Sequence, residues 1–272
     1  MAISTNKNGQ KIWTVRDQKT QLTRWFVYFV AVALIVYCWQ TISEATTWFF
    51  VVDAPRIAGD IGGRAMPPKW SYINELWKPL WDTINIATIG TVLSLIIAVP
   101  VAFMAARNTT PHQIFCRWPA LLIIVSSRSI NSLIWALLLV AIIGPGIFAG
   151  TIAIALRSIG FCAKLLYEAI EEIDEKQVEA ITATGASRWQ VMAYAIVPQI
   201  MPSFAGITVF RWDINIREST VLGLVGAGGI GLQMQSSLSV LAWPQVSLIL
   251  LVIFAAVILS EMVSAKVRAA II

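Results

Sequence analysis

The chain has 272 residues, of which 57% are hydrophobic and only 13% charged. Its mean hydropathy of +0.73 excludes a water-soluble globular domain and marks an integral membrane protein. The net charge of +5 comes without a basic stripe interleaved with stacking aromatics, so nucleic acid is excluded as a partner.

Residues 1–24 are polar and basic, with Lys7, Lys11, Arg16, Lys19 and Arg24 against Asp17, and read as a cytoplasmic tail ahead of a membrane domain over 25–272. The apolar run that follows is too long for a removable leader and lacks its cleavage pattern. A first span is predicted over 25–42, with Trp25, Tyr28 and Trp48 as interfacial anchors. Residues 53–69 contain Gly59, Gly62, Gly63, Pro67 and Pro68, which argues for irregular chain. From Trp70, the residues Ile73, Leu76, Trp77, Leu80 and Trp81 recur at helical spacing. They form either an interfacial amphipathic helix or the start of a second span, itself predicted over 83–106. After an inner loop at 107–117, a third span over 118–143 is interrupted by Ser126-Ser127-Arg128-Ser129, and Gly144-Pro145-Gly146 makes a turn. A fourth span over 148–166 carries Arg157 and Lys164.

Residues 167–200 are too polar for lipid yet lie between apolar runs. An acidic helical half ends at Thr184-Gly185-Ala186, where glycine tolerates the left-handed turn. Ser187 with Gln190 three residues on has the pattern of a reciprocal capping box and starts a second helix. Such a polar knob is a natural handle for a soluble partner. The fifth span, 201–224, holds Arg211, Asp213, Asn215, Arg217 and Glu218 at membrane depth, where ionisable groups face a bundle interior or a watery cavity. Asp213 and Arg217 are four apart and suited to pair, while Arg211, Asn215 and Glu218 lie along a neighbouring face. They are either a self-neutralised brace or, with Arg128, Asn131 and Arg157, a pathway. The arginines exceed the acids, and their planar donors suit a tetrahedral oxyanion such as a phosphorus oxyanion. Arg211 and Arg217 would bind it, with Asp213 and Glu218 keeping the attraction weak enough for release.

A glycine-rich, uncharged stretch follows the fifth span. Gly226, Gly228 and Gly231 spell G-x-G-x-x-G, but an apolar span precedes them and no acid follows until Glu261, so no dinucleotide site is expected. Gly226, Gly228, Gly229 and Gly231 read instead as a close-packed turn at an outer gate, approaching a neighbour across a dimer axis. The last span is predicted over 243–262. Six spans place both termini on one side, and the positive-inside tendency makes that side cytoplasmic, with modest bias. Cys38, Cys116 and Cys162 are spread through apolar runs and read as packing residues, and His112 as a loop residue.

Glu179-Ala180, Gly185 and Pro198 together resemble the EAA loop of ABC importer permeases, although Ile181, Ala195 and Val197 depart from its usual residues. Arg211-x-Asp213-x-Asn215-x-Arg217, with Val225-Gly226-Ala227-Gly228-Gly229-Ile230-Gly231 and Arg128-Ser129-Ile130-Asn131, resembles the phosphonate/phosphite permeases among them, over most of the chain beyond residue 80. Here Asp213, Glu218 and Ser132 differ from that family's usual residues. The resemblance implies an all-α fold of about six transmembrane helices in a bacterial inner membrane, with a cytoplasmic coupling hairpin. It implies ATPase coupling through Glu179, Ala180, Thr184, Gly185 and Ala186, and a homodimer with two ATPase subunits and a periplasmic or lipid-anchored binding protein. No phosphate-cradling P-loop is present, so ATP and Mg would be bound by the ATPase partner, with no catalytic residue, cofactor or metal in this chain. Methionine as cargo, or a stand-alone secondary transporter, are the alternative readings.

Overall fold

The computed structural model describes residues 2–5, 9, 11–14 and 18–271. Lys7, Arg16 and Asp17 of the basic tail lie outside the described residues. The chain divides into two compact units, Met1–Gly62 and Gly63–Ile272.

In the first unit, β1 (Ala2–Thr5) and β2 (Lys11–Thr14) pair antiparallel, Ala2 opposite Thr14. The helix α1 (Gln18–Ala45) is long and apolar enough from Lys19 onward to cross a membrane, and it exposes Trp25, Phe29, Ile35 and Tyr37. The Trp48 indole then donates to the Ser43 carbonyl at 3.1 Å and turns the chain into α2 (Trp48–Ala65). This helix overturns the irregular chain expected over 53–69 as far as Ala65, while 66–69 are irregular as expected. Counting Gly and Pro missed the spacing: Asp53, Arg56, Asp60 and Arg64 share one narrow helical arc, with Phe50, Ile57 and Ile61 along its edge and Val51, Ala54 and Ala58 across from it. Each glycine costs a helix only about 1 kcal/mol against alanine, which a segregated apolar face offsets.

The second unit is helical throughout its ordered elements. A single 3-10 turn at Trp70–Tyr72 leads directly into α3 (Ile73–Ala105), so the tryptophan-rich stretch begins the second span instead of forming a separate helix. Trp70, Trp77 and Trp81 face outward, whereas Leu76 is buried against Ile230, Leu248 and Ile249. After a π turn at Gln113–Arg117, where the His112 ring accepts from the Ile114 and Phe115 amides, come α4 (Trp118–Ser129) and α5 (Ser132–Ile143). Then follow α6 (Ile147–Glu171), α7 (Glu175–Ala183), α8 (Arg188–Val191), α9 (Val197–Gly223), α10 (Gly229–Ser239) and α11 (Trp243–Ile271).

α4 and α5 meet at 86°. The packing shows that they form one broken span and not a re-entrant loop. Ala120 and Ile124 of α4 pack with Ala102 and Ala105 near the end of α3 and with Leu166 and Ile170 near the end of α6. Ala136 of α5 packs with Ile86, Ala153 and Leu222, at the opposite ends of α3, α6 and α9. The pair therefore passes from one core layer to the other, and with α1, α3, α6, α9 and α11 makes six crossings. The break falls at Ile130-Asn131, just past the expected Ser126–Ser129 interruption, because extended Ile130 ends α4 and the Asn131 side chain accepts from the Leu133 amide at 3.1 Å to cap α5.

Candidate functional site

α9 carries five polar or charged side chains that sequence reasoning singled out, and the structure sorts them onto two faces. On the buried face, the Arg211 Nε donates to the Ser158 hydroxyl at 2.9 Å. Ser158 donates to the Asn215 Oδ1 at 3.2 Å, and the Asn215 Nδ2 donates to the Thr91 hydroxyl at 2.8 Å. This chain ties α9 to α6 and α3. Arg211 also lies 5.1 Å over the Phe161 ring, and only 2% of it is accessible. Burying a guanidinium is costly unless its donors are met, and here a hydroxyl, a carboxylate and a ring meet them. Asp213 is likewise buried, accepting from the Ser260 hydroxyl of α11 at 2.7 Å and pairing with Arg217.

Arg217 itself is 47% exposed. With Phe210 and Val221 it forms an open strip along α9. Glu218 borders that strip and bridges two cations on two helices: its carboxylate lies 3.4 Å from the Arg157 Nε and 3.3 Å from the Arg211 Nη2. Arg157 is therefore not free of an acid partner, as its sequence neighbourhood suggested, because Glu218 reaches it from another helix. The Arg157 Nη1 also donates to the Ile130 carbonyl at 3.4 Å, a group released by the break between α4 and α5. Arg128 packs its stem against Gly160, one turn from Arg157, and leaves its side chain exposed. Four arginines against Asp213 and Glu218 leave two unbalanced positive charges in this cluster. At the inner end of the strip, a cavity of about 570 Å³ lies between α6, α9 and α11, lined by Glu168, Glu172, Gly206, Phe210 and Arg268.

The glycine stretch is packed within the chain. Gly226, Gly228 and Gly229 have φ of +89°, +83° and +72°, the left-handed region that glycine alone enters without strain. A Cβ on Gly228 would come within 3.0 Å of the Ile147 amide, one on Gly229 within 2.6 Å of the Thr83 hydroxyl, and one on Gly231 would overlap the Thr220 carbonyl. The close approach expected across a dimer axis is thus to α3, α6 and α9 of the same chain. The Ile230 amide donates to Thr83 at 2.8 Å, fixing the start of α10, a helix that the glycine content concealed.

The polar hairpin forms as its local signals require. Gly185 has φ +81°, and Ser187 with Gln190 closes the reciprocal capping box. One break was not foreseen: the acidic half is divided at residues 172–174, where the Asp174 carboxylate accepts from the Lys176 amide at 3.0 Å and starts α7. Glu179, Ala180, Thr184 and Gly185 are exposed and Ala186 half-buried. Trp189 and Tyr194, 79% and 72% exposed, join this surface; an indole in so polar a segment was the available signal. The base is anchored by Glu171, which accepts from the Arg107 amide at 2.9 Å and lies 3.8 Å from Arg117.

Residues 90–268 match the family profile described as the binding-protein-dependent transport system inner membrane component. The chain belongs to that family. Within it, the chain is 39% identical to the phosphite transport system permease protein PtxC of Stutzerimonas stutzeri, over 86% of this chain and 84% of the relative. It is 36% identical to the phosphate-import permease protein PhnE of Mycolicibacterium smegmatis, over 82% of this chain but 41% of that longer protein. Its fold is shared with a chain of the MetNI methionine ABC transporter in an inward-facing conformation, with a TM-score of 0.63 at 20% identity, covering 72% of this chain and 96% of that one. Membership makes this a multi-pass transport subunit of the inner membrane, working with a binding protein, and its fold is that of type I ABC importer permeases. The partners that sequence reasoning did not supply, Ser158, Thr91, Phe161 and Ser260, all come from other helices.

Proposed function

We propose that this chain is the permease subunit of an ATP-driven importer for a phosphorus oxyanion, phosphite, phosphonate or phosphate, working as a homodimer. The carrying observation is the excess of guanidinium groups at membrane depth, three of them (Arg128, Arg157 and Arg217) with accessible side chains. The names of the two relatives support a phosphorus oxyanion over methionine. Arg217 and Arg157 would meet the cargo, with Asn131 and Arg128 beside them. Arg211, walled in by Ser158 and Phe161, would hold Glu218 in place without touching cargo. Glu218, a carboxylate already seated between two guanidiniums, would occupy the cation site when cargo is absent and return as it leaves. A charge-assisted hydrogen bond is worth about 1.5–3 kcal/mol net, enough to select an anion yet let it go.

One hairpin per chain would give each of two ATPase subunits a docking surface, built from Glu179, Ala180, Thr184 and Gly185 with Trp189. ATP and Mg would reside in those subunits, and both termini would lie on the hairpin's cytoplasmic side. Because α6 and α9 enter the hairpin from either end, displacing it would shear the Arg157–Glu218–Arg211 bridge. The glycine turn would set the outer closure through its packing against α6. The test is uptake by proteoliposomes holding this chain with its ATPase and binding protein. ATP-dependent phosphite or phosphate uptake, competed by the other oxyanions and not by methionine, is the expected result. Uptake by this chain without an ATPase, or competition by methionine alone, overturns the reading.

A further inference from the structure

We propose that α2 lies along the bilayer surface on the side where α3 begins, with its apolar face in the lipid headgroup boundary and its charged face in water. The segment from 46 to 69 joins two membrane-crossing helices, α1 and α3, so both of its ends emerge at one membrane face. An 18-residue helix is about 27 Å long, close to the thickness of the hydrocarbon layer. It cannot cross, because Asp53, Arg56, Asp60 and Arg64 fall within four turns. Those four share one narrow arc of the helix; Val51, Ala54 and Ala58 lie across from it, with Phe50, Ile57 and Ile61 along the edge between. No residue of α2 is buried, and Phe50 and Ile57 are 63% and 44% exposed. Water on both sides would strand the apolar face, while a membrane boundary accepts both faces.

Three further features set the geometry. Pro55, inside the helix, removes one backbone donor, a gap that a headgroup boundary tolerates and hydrocarbon does not. The indole of Trp48 is held by the Ser43 carbonyl and hydroxyl, at 3.1 and 3.2 Å, so an interfacial aromatic sits at the corner itself. Two acids alternate with two arginines, so the polar stripe carries no net charge. Lipid is therefore recognised by apolar burial, with no requirement for anionic headgroups. A zwitterionic phospholipid surface is the partner that this chemistry fits.

The experiment places single nitroxide labels along α2 of the full chain in nanodiscs, without binding protein, after alanine replaces Cys38, Cys116 and Cys162. Labels at 51, 54 and 58 should collide with oxygen several-fold more than with a water-soluble nickel chelate. Labels at 53, 56 and 60 should show the reverse, with a 3.6-residue period, equally in zwitterionic and anionic lipid. A photoreactive benzoylphenylalanine at 58, which leaves the cysteines untouched, should capture lipid where one at 56 does not. Nickel access at 51 and 58 shows the apolar face in water, and protection from both probes shows protein against it; either result overturns the proposal. Lipid contact seen only in anionic membranes overturns it too. None of these readings involves cargo, so the result stands apart from transport specificity.

Discussion

Arg211 and Arg217 are six residues apart on one helix and have opposite surroundings. Arg211 is enclosed by a hydroxyl, a ring and a carboxylate, in a relay that runs through Ser158 and Asn215 to Thr91. Arg217 pairs with its own-helix neighbour Asp213 and leaves its outer side to the open strip. Residue type does not separate a brace from a contact surface; the number of helices holding the side chain does. A group fixed between two helices has no freedom to exchange partners, whereas one held by a single i,i+4 pair on its own helix does.

The sharpest way to break this contrast is Asn215→Leu. It leaves the buried Ser158 hydroxyl without its acceptor, at about 1–3 kcal/mol for a buried group left unmet, and cuts the tie to the Thr91 hydroxyl, which keeps its bond to the Ala87 carbonyl. The expected outcome is a large loss of folded complex, read as monodisperse protein after heating in detergent. Unchanged heat resistance would show that the relay braces nothing. Arg217→Gln should do the opposite, keeping heat resistance while ATP-dependent uptake falls about 10–100-fold, the equivalent of one charge-assisted contact. Asp213→Asn comes next. It keeps an acceptor for Ser260 but releases Arg217, so uptake should change by about tenfold or less, with a higher apparent affinity for cargo as the sign to look for. Gly185→Ala is the smallest: nothing lies within 4 Å of its Cβ, and the left-handed backbone alone costs about 1 kcal/mol. Its mark should be a modest drop in uptake per ATP hydrolysed, measured as coupling ratio, with the membrane bundle unaffected.

The features legible in the sequence are those whose partners are close along the chain. The Asp213–Arg217 pair, the Ser187–Gln190 box and the Gly185 turn each close within four residues. The relay through Asn215 does not, because Ser158 is 57 and Thr91 124 residues away. Arg157 misled for the same reason: its acid, Glu218, is on another helix. For Gly228 the close-packed turn was readable but the neighbour was not, and it is Ile147 of the same chain. Gly228→Leu should therefore lower folded yield as well as transport, so loss of transport alone would not reveal a gate. α2 was hidden differently, by weighing glycine and proline content above the period of its charges.

The joint at Ile130-Asn131 has a mechanical corollary. α3, α6 and α9 run unbroken through both core layers, so tilting one end of any of them swings the other. The α4–α5 segment is a two-piece rod whose halves belong to different layers, hinged at two residues. Under the proposed coupling, torque from the hairpin would be taken up at that hinge while the far half stays seated. The Ile130 carbonyl, held by Arg157, is the catch that couples the hinge to the charges beside it.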